Sequence, residues 1–299
     1  MKKIIITGGS GFIGTLIATK LLSGNYHVVI LDTQPPRITH DNLDFKKIDP
    51  NNISIDPSWI DGAHGIINLA GVPIFGRFTE KYKSLVWKSR IDTTAELVHA
   101  ISKSYIKPTV MVSASAIGYY GNTNGSSVFE SVPAGTDFLA KVCSEWERQA
   151  LEAQKLGVRT VILRTAHVIG KGGILGVLVP LFKKWIGGYF GSGTQHMPWI
   201  GAHDLVAMYI YALEQESLTG VYNTAVANPT QREFMKTVAN AVHTPISWPI
   251  PALIARLTYL DFADALLVDT TVDNTKITSA GFVHNETDLY TTIVSSINE

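Results

Sequence analysis

A glycine-rich turn between two apolar segments, KKIIITGGSGFIG at residues 2–14, already narrows the fold to a small class. Three consecutive isoleucines predict a short buried strand, and apolar residues at helical spacing after the glycines predict a helix. The glycines fit Gly8-x-x-Gly11-x-x-Gly14, and the frame Gly9-x-Gly11-x-x-Gly14 fits as well. A strand, a glycine turn and a helix in this order predict a dinucleotide-binding site.

The turn needs glycine because a pyrophosphate must approach the backbone itself. A side chain at Gly11 would keep the phosphates away, and one at Gly14 would push the helix off the strand. The first N–H groups of the helix and the positive end of its dipole suit an anion. The predicted cofactor contacts here are Gly8, Gly11, Phe12, Ile13 and Gly14. Because no Lys-Ser or Lys-Thr pair follows the last glycine, a Walker-type phosphate loop is not predicted.

Composition excludes several other classes of protein. The 299 residues are 45% hydrophobic, which suits one large domain or two closely packed ones. Lys plus Arg and Asp plus Glu number 25 each, so a formal net charge of zero favours neither a nucleic-acid nor a membrane partner. The single cysteine, Cys143, excludes an internal disulfide, and the first apolar run is too short for a signal peptide. Glycines and Pro180 interrupt the apolar segment 172–182, which is therefore not predicted to be a transmembrane helix. No spacing between histidines is typical of a metal site. We therefore expect a cytoplasmic protein without a metal.

Strands and helices alternate along the chain. The predicted strands are 4–6, 26–32, 43–48, 65–71, 109–113, 158–163 and 221–224. The predicted helices after the first are 79–104, 133–157, 203–214 and 230–243. This alternation predicts an α/β fold with a doubly wound parallel sheet of the Rossmann type. Sites on such sheets lie at the carboxyl ends of the strands, and the sequence ends its strands near Gly11, Asp32, Gly71, Ser115 and Thr165.

Asp32 indicates which dinucleotide the turn prefers. Its carboxylate can accept a hydrogen bond from a ribose 2′-hydroxyl and would repel a 2′-phosphate, so NAD(H) is predicted over NADP(H). Arg37 is close enough in sequence to soften this preference, and Asp49 is predicted to lie near the adenine. Small residues after the fourth strand would let the cofactor ribose approach closely. The further predicted cofactor contacts at this edge are Leu69, Ala70, Gly71 and Thr165.

The alternation loosens after residue 168. The glycine-rich, amphipathic segment 168–193 predicts a loop and a helix that either cover a pocket or simply pack against the domain. Residues 245–251 are predicted to be extended. We divide the chain into two predicted domains. The dinucleotide-binding domain has residues 1–168 and 189–225, and the smaller substrate-side domain has residues 169–188 and 226–299.

Several motifs are similar to those of one known family. TGGSGFIG, INLAG, VSASAIGYYG, ILRTAHVIG and PWIGAHDLV occur in this order over the first three quarters of the chain. With Asp32 they resemble the extended short-chain dehydrogenases/reductases, also called the NAD-dependent epimerase/dehydratase family. NLAGVPI, SRIDTT, KVCSEWE and GGILGVLVPLF resemble an atypical branch labelled epimerase-family or cell-division-inhibitor-like proteins. The resemblance implies a Rossmann fold and a nicotinamide cofactor.

The same resemblance implies an altered active site. The family uses a serine together with a Tyr-x-x-x-Lys pair on the next helix. Ser115, or less favoured Ser113, matches the serine, and Lys141 matches the lysine and its contact with the cofactor ribose. Asp137 stands where the tyrosine is expected. A carboxylate is a poorer acid than a phenol at neutral pH because it is already ionised, and an ion pair with Lys141 on the helix is its alternative role.

Five other side chains have a functional and a structural interpretation. Tyr119 and Tyr120 end the serine loop, where they bring a phenol to the pocket or pack against the turn; Tyr120 is the catalytic candidate. His167 is a candidate pocket residue, and Trp199 lines the pocket or belongs to the core. Cys143 has no histidine partner in the pattern, which favours a small buried residue.

Together these features predict an NAD(P)-binding oxidoreductase or epimerase-like enzyme that acts on a small polar substrate, sugar derivatives included. The missing tyrosine favours the alternative, a nicotinamide-binding redox sensor or regulatory protein without turnover. The expected partner is a small-molecule substrate, with a homodimer left open, and neither a nucleic acid nor a membrane.

Overall fold

Seven parallel strands form the centre of the structure, a computed structural model that describes residues 1–74, 78–244, 248–251 and 267–299. The strands are β1 (Lys2–Thr7), β2 (Tyr26–Asp32), β3 (Leu43–Lys47), β4 (Gly65–Asn68), β5 (Val110–Ala116), β6 (Arg159–Thr165) and β7 (Gly220–Asn223). Their spatial order is β3-β2-β1-β4-β5-β6-β7, and every neighbouring pair is parallel. The order reverses between β1 and β4, which creates a crevice beyond their carboxyl ends. The predicted doubly wound sheet is confirmed.

Nine helices accompany the sheet in the described residues. They are α1 (Phe12–Leu22), α2 (Pro57–Ile60), α3 (Glu80–Lys103), α4 (Phe138–Leu151), α5 (Ile174–Lys183), α6 (Ala202–Glu214), α7 (Gln231–Ala241), α8 (Thr275–Ser279) and α9 (Leu289–Asn298). Side chains at their first turns define several starts. The Thr79 hydroxyl caps α3, and Thr230 with Glu233 forms a capping box on α7.

The isoleucines of β1 explain how the sheet is covered. Ile4 and Ile6 pack in the cluster that includes α1 and α6, whereas Ile5 packs in the cluster that includes α2 and α3. All three are fully buried. A strand that is apolar on both sides is typical of a parallel sheet with helices on both faces. The short isoleucine run is therefore a central strand, and the glycine turn follows it at the open edge.

Three of the element boundaries that differ from the prediction lie beside the predicted site residues. The helix expected from residue 133 begins only at Phe138, because Asp137 caps it by accepting a hydrogen bond from the Ala140 amide at 3.0 Å. β4 ends at Asn68, so residues 69–71 leave the sheet. β5 continues to Ala116, three residues further than predicted, which makes Ser115 part of the strand.

Short strand pairs and a further core lie beside the sheet. His167–Ile169 pairs with Trp199–Gly201, Gly188–Phe190 with Trp248–Ile250, and Ser127–Val128 with Thr271–Val272, all in parallel. A distinct apolar cluster joins α5, α7 and α9 through Leu175, Phe182, Phe234, Val238 and Ile293. The predicted extended segment is a strand from Trp248, and its first part, 245–247, lies outside the described residues. Over the part of the chain that is described, no helix combines the length and hydropathy needed to cross a membrane.

Candidate functional site

The glycine turn lies close to the chain after β4. Gly8 has φ +71°, and a Cβ built on it would lie 2.8 Å from the carbonyl group of Leu69. A Cβ on Gly14 would lie 2.5 Å from the Gly8 oxygen and 2.6 Å from Gly9 Cα. A left-handed backbone at Gly8 and the close approach at Gly14 both require glycine. Gly14 belongs to both frames, and a Cβ on Gly9 would also collide, 2.7 Å from the Ile30 side chain. The positive φ of Gly8 is therefore what favours the frame that starts there.

The start of α1 carries unused hydrogen-bond donors. Gly11 is its N-cap and offers no side-chain oxygen, so the amides of Phe12, Ile13 and Gly14 find no acceptor within the described residues. Gly11 is exposed, and a Cβ there would meet only the Gly8 oxygen, at 3.2 Å. Three free amides at the positive end of a helix form a site for an anion.

The Phe12 side chain has a different role from its amide. Cβ atoms built on Gly170 and Gly172 would both collide with the Phe12 ring. The ring therefore packs on the backbone of the loop that precedes α5. This contact joins the glycine turn to the segment that was predicted either to cover a pocket or to pack.

Asp32 is fixed beside the same turn. Its carboxylate accepts hydrogen bonds from the Ser10 amide at 2.9 Å and the Thr33 amide at 2.7 Å. The Ser10 hydroxyl donates to the Gln34 carbonyl at 2.7 Å, which ties the turn to the chain after β2. Arg37 is exposed. The carboxylate thus lies at the end of β2 with oxygen lone pairs left for a ligand hydroxyl.

Leu69, Ala70 and Gly71 follow β4 at the reversal of strand order. The Leu69 amide donates to the Thr7 carbonyl at 3.0 Å, which holds this segment against the end of β1. Gly71 is exposed, and the Arg90 guanidinium from α3 lies against it. Sequence reasoning missed Arg90; its only signal was an arginine within the SRIDTT motif, close to apolar helix positions.

A buried polar network joins the ends of β5 and β6 to α4. The Ser115 hydroxyl donates to Glu147 Oε1 at 2.6 Å. Arg164 donates to both oxygens of Glu147 at 2.8 Å, through Nε and Nη2. Its Nη1 donates to the Tyr120 hydroxyl at 2.9 Å, and that hydroxyl donates to Asn223 Oδ1 at 2.7 Å. All five side chains are buried. Glu147, Arg164 and Asn223 were not predicted, because no sequence spacing links them.

The electrostatics of this network oppose ionisation of the Tyr120 phenol. Burial raises the pKa of Tyr120, and the nearby Arg164 only partly offsets that effect. Burial alone would lower the pKa of Arg164, but the hydrogen bonds and charge of Glu147 raise it above its ordinary value. Burial also raises the pKa of Cys143 to about 12, so its thiol stays protonated. The Arg164 guanidinium is therefore held as a charged group paired with Glu147.

The remaining predicted residues lie around this edge. Asp137 caps α4, and Lys141 on the next turn is exposed. The Tyr119 ring lies under the Arg164 guanidinium, whose Cζ is 3.4 Å from the ring centroid. Thr165 ends β6, with its hydroxyl bonded to the Leu163 carbonyl at 3.3 Å.

His167 and Trp199 lie on neighbouring short strands. Burial lowers the pKa of His167, so the imidazole is neutral at neutral pH, and its Nδ1 lies 2.8 Å from the Pro198 carbonyl. Nδ1 therefore carries the proton, which leaves Nε2 as an acceptor. Trp199 is 1% exposed and belongs to the core. Among the described ranges, no group of three His, Cys, Asp or Glu side chains has a geometry that could hold a metal ion.

Comparison with known proteins decides the family. The sequence model described as the NAD dependent epimerase/dehydratase family matches residues 4–225. The chain belongs to this epimerase family. Epimerase family protein SDR39U1 homolog, chloroplastic, from Arabidopsis thaliana is 36% identical over 255 residues, which cover 83% of this chain and 73% of that protein. Epimerase family protein Mb2239 from Mycobacterium bovis is 33% identical over 283 residues, 93% and 92% of the two chains.

A solved structure agrees over the full length. The crystal structure of human epimerase family protein SDR39U1 (isoform 2) with NADPH has a TM-score of 0.86 to this chain and is 25% identical, over 99% of both chains. The resemblance to the epimerase family and to its atypical branch is confirmed. In this epimerase-family member the predicted cofactor contacts near Gly8, Asp32 and Gly71 lie at one edge of the sheet, whereas the Ser115 and Tyr120 hydroxyls are engaged by the buried network.

Proposed function

We propose that this chain is a nicotinamide-dinucleotide-dependent oxidoreductase or epimerase-like enzyme of the extended short-chain dehydrogenase type, with a small polar substrate. The observation that carries the proposal is the set of three free amides at the start of α1, beside Asp32 and at the reversal of strand order. Membership of the epimerase family and the NADPH held by human SDR39U1 support it.

The residues at the site fit such a cofactor. The amides of Phe12 and Ile13 would bind the pyrophosphate, and Gly11 leaves room for it. Asp32 would bind a ribose hydroxyl of the adenosine half, and the small Ala70 would let the other ribose approach. A bound nicotinamide supplies hydride transfer to or from a carbon atom of the substrate. The chain's own residues bind the cofactor and the substrate, orient them, and exclude water from the reacting groups.

A thermal-shift experiment tests cofactor binding. Each of the four nicotinamide dinucleotides is added at about 100 times its dissociation constant, which should stabilise the fold by ~2.7 kcal/mol. Gly11→Val should abolish the shift and leave a folded protein, because a side chain there meets only one backbone oxygen, 3.2 Å from Cβ. Gly24→Val is the matched control, since a Cβ on Gly24 lies 3.3 Å from one backbone oxygen at the other end of α1. A parent protein that no dinucleotide stabilises would refute the proposal.

The cofactor preference is part of the proposal. Asp32 should make NAD(H) bind at least ~10-fold tighter than NADP(H), equal to ~1.4 kcal/mol, because its carboxylate repels a 2′-phosphate. Calorimetry at fixed salt measures both affinities. Asp32→Ala should narrow the gap mainly by weakening NAD(H), and Thr33→Arg should reverse it. The contrary result is a parent that binds NAD(H) and NADP(H) with equal affinity, together with an Arg37→Gln variant that prefers NAD(H). That result would mean that Arg37 neutralises the 2′-phosphate and that the role given to Asp32 is wrong.

One observation favours a second candidate, a nicotinamide-binding redox sensor without turnover. The Ser115 and Tyr120 hydroxyls already have partners in the protein, and Asp137 serves as a helix cap. The candidate catalytic set is Ser115, Tyr120 and Lys141, and in the structure both of its hydroxyls are engaged by the protein. A screen of carbonyl and nucleotide-sugar substrates with the parent and Asp137→Tyr separates the candidates. Turnover in the parent supports the enzyme, whereas turnover only in Asp137→Tyr supports the sensor.

A further inference from the structure

Arg90 is a residue of α3, and its guanidinium packs against the segment that follows β4. A Cβ built on Gly71 would lie 2.8 Å from its Cζ, so the guanidinium fills the space that a side chain would occupy. Nη2 donates to the Val72 carbonyl at 2.9 Å, and Nη1 donates to the Val86 carbonyl at 3.3 Å. The Trp146 ring on α4 covers the guanidinium, with its centroid 5.3 Å from Cζ. These contacts hold the planar group in one orientation.

Its charge lacks a protein counterion. Among the residues that the structure describes, no carboxylate is hydrogen-bonded to Arg90 or paired with it. Burial lowers its pKa, and the groups that partly offset this are the Cys143 thiol and the Tyr82 phenol rather than an acid. Arg164 differs, because the Glu147 carboxylate is its counterion and accepts two hydrogen bonds from it. A partly buried charge without a counterion is costly, which indicates that an anion from outside the described chain completes the site.

The unused donors of Arg90 have the geometry for such an anion. Carbonyl and hydroxyl oxygens accept from Nη1 and from Nη2, whereas Nε finds no acceptor in the described residues. Arginine binds both oxygens of a carboxylate or phosphate side-on through the fork of Nε and Nη2, and here Nε is a donor that the described residues leave unused. The Arg90 Nε atom is accessible to solvent. In the described chain, the side-chain polar atoms that are both fully buried and unpartnered are Thr15 Oγ1 and His284 Nε2, and the unpartnered Nε of Arg90 is not among them.

We infer that Arg90, at the exposed Gly71, binds an oxyanion of the substrate, a carboxylate or a phosphate. The inference deepens the proposed function by naming a substrate class, and it rests on that function for the cofactor beside it. A cofactor pyrophosphate is the other source of an oxyanion. The free amides at the start of α1, after β1, already suit that group, whereas Arg90 lies after β4 against Trp146 of α4. The substrate anion is therefore a second, separate ligand group.

A titration followed by nuclear magnetic resonance tests the assignment. The full-length protein is titrated with D-glucuronate, inorganic phosphate and, as the uncharged partner of glucuronate, D-glucose, at constant ionic strength. The arginine Nε–H resonance of Arg90 is assigned by its loss in Arg90→Met. It should shift saturably with at least one of the two anions and not with glucose. The titration is run with and without the nicotinamide dinucleotide that gives the largest thermal shift.

Variants locate the effect. Arg90→Met should weaken anion binding by roughly 10- to 100-fold, the range expected for a lost charge-assisted contact, while cofactor affinity stays within about 2-fold. Arg90→Lys, which keeps the charge and the fold but loses the fork, should lie between parent and Arg90→Met. Arg148→Met removes an exposed positive charge on α4 and should leave the affinity unchanged.

Two results would overturn the inference. One is no shift of the Arg90 resonance with either anion. The other is a shift with the dinucleotide alone that neither anion changes further, which would assign Arg90 to the cofactor pyrophosphate. A protein that binds no dinucleotide refutes the proposed function instead, and in that case the titration of the cofactor-free protein still decides the role of Arg90.

Discussion

The turn after β1 and the ends of β5 and β6 lie on one edge of the sheet, yet they differ in whether their hydrogen-bond donors find acceptors within the protein. After β1, the amides of Phe12 and Ile13 have no acceptor in the described protein. At the ends of β5 and β6, the Ser115, Tyr120 and Arg164 donors all find protein acceptors. Unused donors at an exposed edge indicate a ligand, whereas a closed and buried network indicates stability and positioning.

The largest expected effect tests whether the closed network is structural. Glu147→Ala leaves Arg164 buried without its counterion, so the free energy of unfolding should fall by ~3–5 kcal/mol in urea denaturation. Glu145→Ala breaks an exposed ion pair with Arg148 on the same helix and should cost less than ~1 kcal/mol. Equal losses in the two variants would mean that the network contributes no more than a surface pair.

The next effect examines the other region, the glycine turn. Gly14→Ala should cost ~1–3 kcal/mol of unfolding free energy, because its Cβ would lie 2.5 Å from the Gly8 oxygen. Gly11→Ala should cost less than ~1 kcal/mol, since its Cβ meets one oxygen at 3.2 Å. Thermal or urea denaturation of the cofactor-free proteins measures both. A reversed order would contradict the packing described for α1 against the turn.

A smaller effect separates the two tyrosines of the Ser115 loop. Tyr120→Phe removes the hydroxyl between Arg164 and Asn223 and should lower the unfolding free energy by ~1–2 kcal/mol. Tyr119→Phe should be close to neutral, because the Tyr119 ring rather than its hydroxyl contacts Arg164. Cofactor affinity should be unaltered in both. If Tyr120→Phe abolished turnover without a loss of stability, the phenol would be catalytic and the network would open during reaction.

The smallest effect is a pH dependence at the start of α6. The hydrogen bond that His203 Nε2 donates to Glu299 Oε1, at 2.7 Å, raises the pKa of His203. The raised folded-state pKa means that this pair stabilises the protein below the unfolded histidine value of about 6.5 and loses its effect as pH rises through the folded-state value. His203→Gln should therefore flatten the decline of Tm between pH 5.5 and pH 8.5. An unchanged slope would show that other groups control it.

Local patterns were sufficient for most elements. β2 has the predicted bounds Tyr26–Asp32, because a β-branched run closed by an aspartate is a strong local signal. α3 is one residue shorter at each end than the predicted helix, where Thr79 supplies the cap. The start of α4 was wrong by five residues, since apolar spacing alone did not reveal that Asp137 is its N-cap. The error at this helix start therefore arose because a single capping side chain outweighed periodicity.

The sequence by itself determined the parallel sheet, the glycine turn, and Asp32 at the end of its strand, because each depends on residues within one strand–turn–helix unit. The tertiary structure alone decided the partners of the other polar groups. Ser115 bonds to Glu147, 32 residues away, and Tyr120 to Asn223, 103 residues away. Gly71, after β4, and Arg90, on α3, also meet only in the folded chain. Such contacts depend on strand order and helix packing, and neither periodicity nor motif spacing encodes these.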